Sequence, residues 1–86
     1  MNENVVIIGA GGHAKVIADI IIKNNDKLIG FLDDNIVKET KIIEDYRVIG
    51  KIEDAIKLQQ VNKNLKFIIG IGDNETRKKI ADKYNL

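Results

Sequence analysis

A glycine-rich segment near the amino terminus carries the most specific chemistry in this sequence. Residues 5–14 read Val-Val-Ile-Ile-Gly-Ala-Gly-Gly-His-Ala, so an apolar β-branched run breaks into glycines just before a helical pattern begins. Glycines let the backbone turn without a Cβ, and the next helix presents unpaired amides and its positive dipole end to an anion. Gly9, Gly11 and Gly12 are therefore predicted to bind a phosphate ester, with a nucleotide as the expected ligand.

Three further side chains are predicted to face the same ligand. His13 stands beside the helix start, where its ring can reach a phosphate or a sugar hydroxyl, or can simply pack over the turn. Asp33 and Asp34 follow the second predicted strand. They either accept hydrogen bonds from a ribose or a base, or they form a solvated Asx turn. Asp33, 22 residues after Gly11, is the preferred ribose partner.

A second glycine turn repeats this logic later in the chain. The sequence Gly-Ile-Gly-Asp-Asn at 70–74 follows a β-branched strand and precedes a helical pattern. Gly72 and Asn74 are therefore predicted to approach the same ligand from the other side, and a simple capped helix start is the alternative. No catalytic residue and no metal site are predicted, because there is one histidine, no cysteine and no evident nucleophile arrangement.

The hydrophobic pattern around these residues alternates between strands and helices. Strands are predicted at 5–8, 28–32, 47–49 and 66–71, and helices at 14–24, 52–61 and 75–84, with an excursion at 36–45 that holds a short edge strand near 41–43. This order predicts an α/β fold, a small Rossmann-like parallel sheet of about four strands with helices on both faces. Because apolar residues cover most of the first helix, it is expected to pack deeply.

Composition limits the number of domains, the classes of partner and the location that the sequence allows. The 86 residues form a single predicted domain, 1–86, with 44% hydrophobic and 31% charged residues. A net charge of +1 gives no field that would attract nucleic acid or a membrane surface. The absence of cysteine and the shortness of the apolar run at the amino terminus predict a soluble, cytoplasmic protein.

Four motifs in order resemble a single family over nearly the whole chain. They are Ile-Ile-Gly-Ala-Gly-Gly-His-Ala-Lys-Val at 7–16, Gly-Phe-Leu-Asp-Asp at 30–34, Val-Ile-Gly at 48–50 and Ile-Gly-Ile-Gly-Asp-Asn at 69–74. Together they are similar to the N-terminal domain of the sialic acid O-acetyltransferase and bacillosamine-type sugar N-acetyltransferase family. The resemblance implies a bacterial, Rossmann-like domain of glycan biosynthesis that binds a nucleotide sugar, commonly a UDP-sugar.

The resemblance also implies roles for individual residues. The glycines at 11–12 and His13 would contact the phosphates or the sugar of the acceptor, Asp33 and Asp34 its uridine, and Gly72 would contribute an amide. In the family a C-terminal left-handed β-helix forms homotrimers, binds acetyl-CoA and supplies the histidine base. The sequence stops before any hexapeptide repeat, so these residues are expected to bind the acceptor without acetylating it.

Two other functions stay open at this stage. The fingerprint also fits an NAD(P)-type dinucleotide-binding module, although its third glycine is replaced by Ala14 and no hydride-transfer site follows. The second is a structural module without a ligand, whose apolar first helix serves assembly. The sequence leaves the base, the sugar and the pathway undecided, and also whether the chain is an excised domain or a truncated gene product.

Overall fold

The fold is built around one mainly parallel sheet, seen in a computed structural model that describes residues 3–86. In chain order the elements are β1 (Asn4–Ile8), α1 (Gly12–Lys23), β2 (Lys27–Leu32), β3 (Lys41–Ile43), β4 (Tyr46–Gly50), α2 (Asp54–Val61), β5 (Lys66–Ile69) and α3 (Asn74–Tyr84). Among the helices of these described residues, none is long and apolar enough to cross a membrane.

The sheet has the strand order β3-β4-β2-β1-β5. β1 pairs in parallel with both β2 and β5, and β2 pairs in parallel with β4, whereas β3 is antiparallel to β4. The α/β prediction is thus confirmed, with five strands where about four were expected, because the excursion adds an antiparallel edge strand. Such edge strands are common on otherwise parallel sheets.

Two hydrophobic cores lie on opposite faces of the sheet. Val5 and Ile7 of β1 belong to the core beneath α1, and Val6 and Ile8 belong to the core beneath α2 and α3. All four side chains are at most 2% exposed, because successive residues of a strand point to opposite faces and both faces are covered. The predicted placement of helices on both faces is therefore confirmed.

Helix α1 is packed less deeply than its composition predicted. Ala14, Ala18 and Ile21 are buried against the sheet, but Val16 is 60% and Ile20 54% exposed. A helix that lies on a sheet buries one stripe, and the stripe of α1 is set by small alanines that let the helix axis approach the strands. The expectation of deep packing was therefore wrong for the outer face of α1.

The backbone of the segment after β5 comes very close to α1 at Gly70. A Cβ on Gly70 would stand 2.7 Å from Ile7 Cγ2 and 3.1 Å from both Cα and Cβ of Ala14. Contacts this short require movement of the helix backbone, so only glycine fits without strain. This close approach draws the second glycine turn against the beginning of α1.

Replacement of Gly70 by alanine should lower the free energy of unfolding by about 1–3 kcal/mol, because the added methyl group forces α1 away from the sheet. Urea unfolding followed by circular dichroism measures this change. Gly72→Ala is the matched control, since the nearest atom to its Cβ would be His13 Cγ at 3.8 Å, an ordinary contact. Equal stability losses in the two variants would contradict the proposed close packing.

Candidate functional site

The carboxyl edge of the sheet brings the predicted site segments together. Because β1, β2, β4 and β5 are mutually parallel, the turns that follow them lie at the same edge. α1 leaves β1 toward one face, and α3 leaves β5, the neighbour of β1, toward the other. Ligands of doubly wound sheets bind at such a switch point.

Gly9 fixes the direction of the first turn. Its φ is +98°, its amide donates to the Leu32 carbonyl at 2.7 Å, and a Cβ would stand 2.8 Å from Ile71 Cγ1. Both the left-handed backbone and the lack of space demand glycine here. Gly9 is buried and therefore acts by shaping the turn.

Gly11 and Gly12 differ from Gly9 because the described part of the chain gives no steric reason for either. Each is exposed, neither has a positive φ, and, apart from chain neighbours and the helix's own backbone, no heavy atom lies within 4 Å of a Cβ built on it. Space left free beside two glycines at a helix start is what a ligand that approaches the backbone requires.

The amino end of α1 also has neither a side-chain cap nor an acidic residue in its first turn. Its N-cap residue is Gly11. The amino end of α3 is closed by contrast, because the Asp73 side chain caps it by accepting a hydrogen bond from the Thr76 amide. The first amides of α1 are thus available to an external anion, together with the positive end of the dipole.

His13 and Gly72 meet where the two glycine turns converge. The imidazole Cγ lies 3.8 Å from the position of a Cβ on Gly72, and both residues are exposed. The structure therefore places His13 and Gly72 beside each other, with the imidazole next to the open end of α1.

Asp33 and Asp34 are both engaged with backbone amides. Asp33 Oδ1 accepts from the amides of Asn35 at 2.8 Å and Ile36 at 3.0 Å, and Asp33 Oδ2 accepts from the Ala10 amide at 3.0 Å. Asp34 Oδ1 accepts from the amide of Ile52 at 3.0 Å. Asp33 therefore forms the Asx turn that was one of its two predicted roles, and it also links its loop to the first glycine turn, which no sequence pattern indicated.

A cleft of about 320 Å³ opens between loop 33–35 and α3. Its floor consists of the buried Ile52 and the half-buried Ile71 and Ile80, and its exposed rim carries Asp34 on one side and Lys79 on the other. Ile71 also packs against Gly9, so one residue of the cleft contacts the first glycine turn. An apolar floor with a few polar groups at the rim suits a flat, hydrogen-bonding ring.

Two further depressions lie on the surface of the described residues. One of about 390 Å³ lies on the other side of loop 33–35, toward Gly50 and Lys51. Another, of about 490 Å³, lies between α2 and α3 and includes Gln60 and Tyr84, near the carboxyl ends of both helices. The helices run back from the carboxyl edge of the sheet, so this groove faces the opposite edge and is remote from the glycine turns.

Asn74 and Asp73 stabilise the start of α3. Asn74 Oδ1 accepts a hydrogen bond from the Arg77 guanidinium, and Asp73 Oδ2 accepts from the Thr76 hydroxyl at 2.6 Å and from its amide at 3.0 Å. The hydrogen bonds from the Thr76 hydroxyl and amide hold the pKa of Asp73 below its ordinary value of 3.8, and Lys79 also lowers it, against a small opposing effect of burial. Asp73 thus caps α3, so the capped helix start that the sequence analysis gave as the alternative is present.

This cap should make the stability of the protein pH-dependent. A pKa that is lower in the folded state means that the ionised cap stabilises above the ordinary value of 3.8, and that this contribution is lost as the pH falls through the lower, folded pKa. The stability difference between the wild type and Asp73→Asn should therefore shrink as urea unfolding is measured at progressively lower pH below 3.8. Asp82→Asn, on the same helix, is the control, and a difference that stays constant with pH would contradict the role of the ionised cap.

The sheet order, the glycine turn and the helices on both faces define a Rossmann-like α/β domain. The PglD N-terminal domain family matches residues 4–84, and the chain belongs to this family. The resemblance identified from the four motifs is therefore confirmed.

Similar proteins include characterised sugar acetyltransferases. The chain is 33% identical over 85 residues to the UDP-N-acetylbacillosamine N-acetyltransferase of Bacillus subtilis, with 98% of this chain and 38% of that protein covered. It is also 38% identical over 77 residues to an uncharacterised protein of Acanthamoeba polyphaga mimivirus, covering 90% of this chain and 14% of that protein. The chain thus spans well under half of either relative.

Solved structures show the same relationship. A mutant of GDP-perosamine N-acetyltransferase from Caulobacter crescentus, in complex with CoA and GDP-perosamine, superimposes with a TM-score of 0.78 at 29% identity, with 95% of this chain and 37% of that chain covered. The acetyltransferase domain of PglB from Neisseria gonorrhoeae, in complex with acetyl coenzyme A, gives a TM-score of 0.73 at 25% identity and 99% and 40% coverage. The chain corresponds to the N-terminal domain of such sugar acetyltransferases.

Proposed function

We propose that this chain is the nucleotide-sugar-binding domain of an acetyl-CoA-dependent sugar O- or N-acetyltransferase. The observation that carries the proposal is the open amino end of α1, where Gly11 and Gly12 leave free space that no contact within residues 3–86 requires. The names of two relatives support it, since one acts in the metabolism of a UDP-sugar and another is bound to GDP-perosamine.

The diphosphate of the ligand is proposed to lie at the start of α1. The first amides of α1 have no side-chain cap, and the α1 dipole favours the negative charge of the diphosphate. His13 and Gly72 are proposed to contact the same diphosphate or the attached sugar from the side of the second turn, because they lie together at this end of the helix. No acid lies in the first turn of α1 to oppose the anion.

The nucleoside is proposed to extend from the diphosphate into the cleft beside α3. Ile71 lines the cleft and packs against Gly9, so the cleft and the first glycine turn are neighbours. Asp33 and Asp34 both line the cleft, and Asp34 is the carboxylate with more capacity to accept hydrogen bonds from the nucleoside, because only its Oδ1 is engaged, with the Ile52 amide. Asn35 lines the same cleft and offers an amide donor and acceptor.

Uridine diphosphate is the proposed nucleotide. The motif resemblance and the Bacillus subtilis relative both favour a UDP-linked acceptor. Acetyl-CoA is proposed to bind outside these residues, in a further domain that would also hold the acetyl-transfer chemistry and a trimer interface. The chain would then bind its acceptor without catalysing transfer by itself, and the cytoplasmic location inferred from the sequence stays a prediction.

Replacement of Gly12 by leucine should abolish UDP binding and leave the fold intact. The added side chain would fill the free space at the start of α1, where no other atom clashes, and leucine favours helix more than glycine. Isothermal titration with UDP should show at least about a tenfold loss of affinity, while the urea midpoint stays equal or rises.

The control for Gly12→Leu is Asn24→Leu, which places the same side chain at the opposite end of α1, where Asn24 is the exposed C-cap. UDP affinity should be unchanged in this variant. If Gly12→Leu bound UDP as well as the wild type did, the diphosphate could not lie at the start of α1.

The nucleotide preference is tested by titrating the labelled protein with UDP, UDP-N-acetylglucosamine, GDP and NADH and recording amide shifts by NMR. Uridine ligands are expected to shift the amides of residues 11–13, Asp34 and Gly72 more strongly than GDP does. Shifts with NADH alone would favour the dinucleotide alternative, and no shift with any of the four would reject the proposed function for this chain.

A further inference from the structure

One carboxylate joins the two loops between which the proposed ligand would lie. Asp33 is half-buried and accepts three backbone hydrogen bonds, from Asn35 and Ile36 in its own loop and from Ala10 in the first glycine turn. The two segments are 23 residues apart in sequence, so the contact with Ala10 connects the end of β1 to the end of β2.

The bond to Ala10 acts on the part of the turn that must bind the anion. Ala10 lies between Gly9, whose φ is positive, and the exposed Gly11, and it is 2% exposed. When its amide is held by a carboxylate, the peptide planes that follow have less freedom to rotate. The amides of Gly11 and Gly12 are therefore held in one orientation before a ligand arrives, which lowers the entropy that binding must spend.

The same bonds leave Asp33 little capacity for a ligand. A carboxylate has about four lone-pair sites, and three are used by backbone donors. Asp34 accepts one hydrogen bond, from the Ile52 amide, and its side chain is exposed at the cleft. The two neighbouring acids therefore differ in what they can still accept.

We infer that Asp33 is a positioning residue, which couples loop 33–36 to the glycine turn and orients the diphosphate-binding amides without touching the ligand itself. The inference rests on the proposed function and assigns the direct nucleoside contacts to Asp34. It departs from the ribose-binding role that the sequence pattern favoured for Asp33.

The closing experiment compares two isosteric variants. In Asp33→Asn the remaining oxygen can keep the Asn35 and Ile36 amides, while the new NH₂ group faces the Ala10 amide and breaks that bond. The matched control is Asp26→Asn, because Asp26 Oδ1 accepts from the Glu3 amide at 3.0 Å and so links the same two strands at their other end, also across 23 residues.

Two readouts are taken for each variant. The first is the position of the amide resonances of residues 10–12 in the free protein. The second is the affinity for three probes, UDP, inorganic pyrophosphate and uridine, followed by NMR titration. If Asp33→Asn fails to fold, Asp33→Ser replaces it, since serine can cap the Asn35 amide but is too short to reach Ala10.

The expected result is a shift of the turn resonances in free Asp33→Asn, a loss of about tenfold in affinity for UDP and pyrophosphate, and an unchanged affinity for uridine. Asp26→Asn should change none of these. Equal losses for uridine and UDP with unmoved turn resonances would overturn the inference in favour of direct ribose contact. Unchanged affinities and resonances in Asp33→Asn would overturn it in favour of a purely stabilising bond.

Failure of the proposed function can be recognised separately. If the wild type binds none of the three probes, the proposed function is rejected. The resonances of the free variants still show whether Asp33 orients the glycine turn.

Discussion

The left-handed turn at Gly9 is the constraint on which the rest of the carboxyl edge depends. β1 is buried on both faces and pairs on both sides, so its direction is fixed by the whole sheet. The chain must then leave the sheet within a few residues and begin α1 on one face. Gly9 makes this possible with φ +98° in a space already bounded by Ile71 and the Gly70 carbonyl. The second glycine turn is thereby packed against the first at the carboxyl edge of the sheet.

The two helix starts at this crevice show how the same local element can serve stability or binding. α3 satisfies its own amino end with the Asp73 side chain and carries Glu75 in its first turn. α1 does neither and places glycines where a cap would stand. A glycine at the N-cap costs little stability, roughly a few tenths of a kcal/mol relative to Ser, Thr, Asp or Asn, and it leaves the first amides without a side-chain partner. An open end at the switch point of the sheet, beside a capped one, is therefore the arrangement expected of an anion site rather than of a purely structural turn.

The sequence allowed the strands and the crevice to be predicted because both depend on local patterns. A run of β-branched residues such as that of β1 indicates a buried strand. A glycine soon after such a run, like Gly9 or Gly72, indicates a turn. The burial of α1 was not predictable in this way, since Val16 and Ile20 have the same character as the buried Ile21 and only the position of the helix on the sheet separates them. The role of Asp33 was equally hidden, because its bond to Ala10 joins residues that periodicity cannot relate.

The placement of two acids near a proposed diphosphate needs a physical reason, because free carboxylates would repel an anion. Asp33 is surrounded by three amide dipoles, whose positive ends offset much of its charge. Its attraction for the Ala10 amide also fixes the backbone from which the next amides project. Asp34 lies at the cleft with Lys79 on the opposite rim, where a neutral base is proposed to bind. The proposed site would thus separate an anion end, built from backbone amides, from a nucleoside end, built from side chains, and Asp33 links the loops that carry the two.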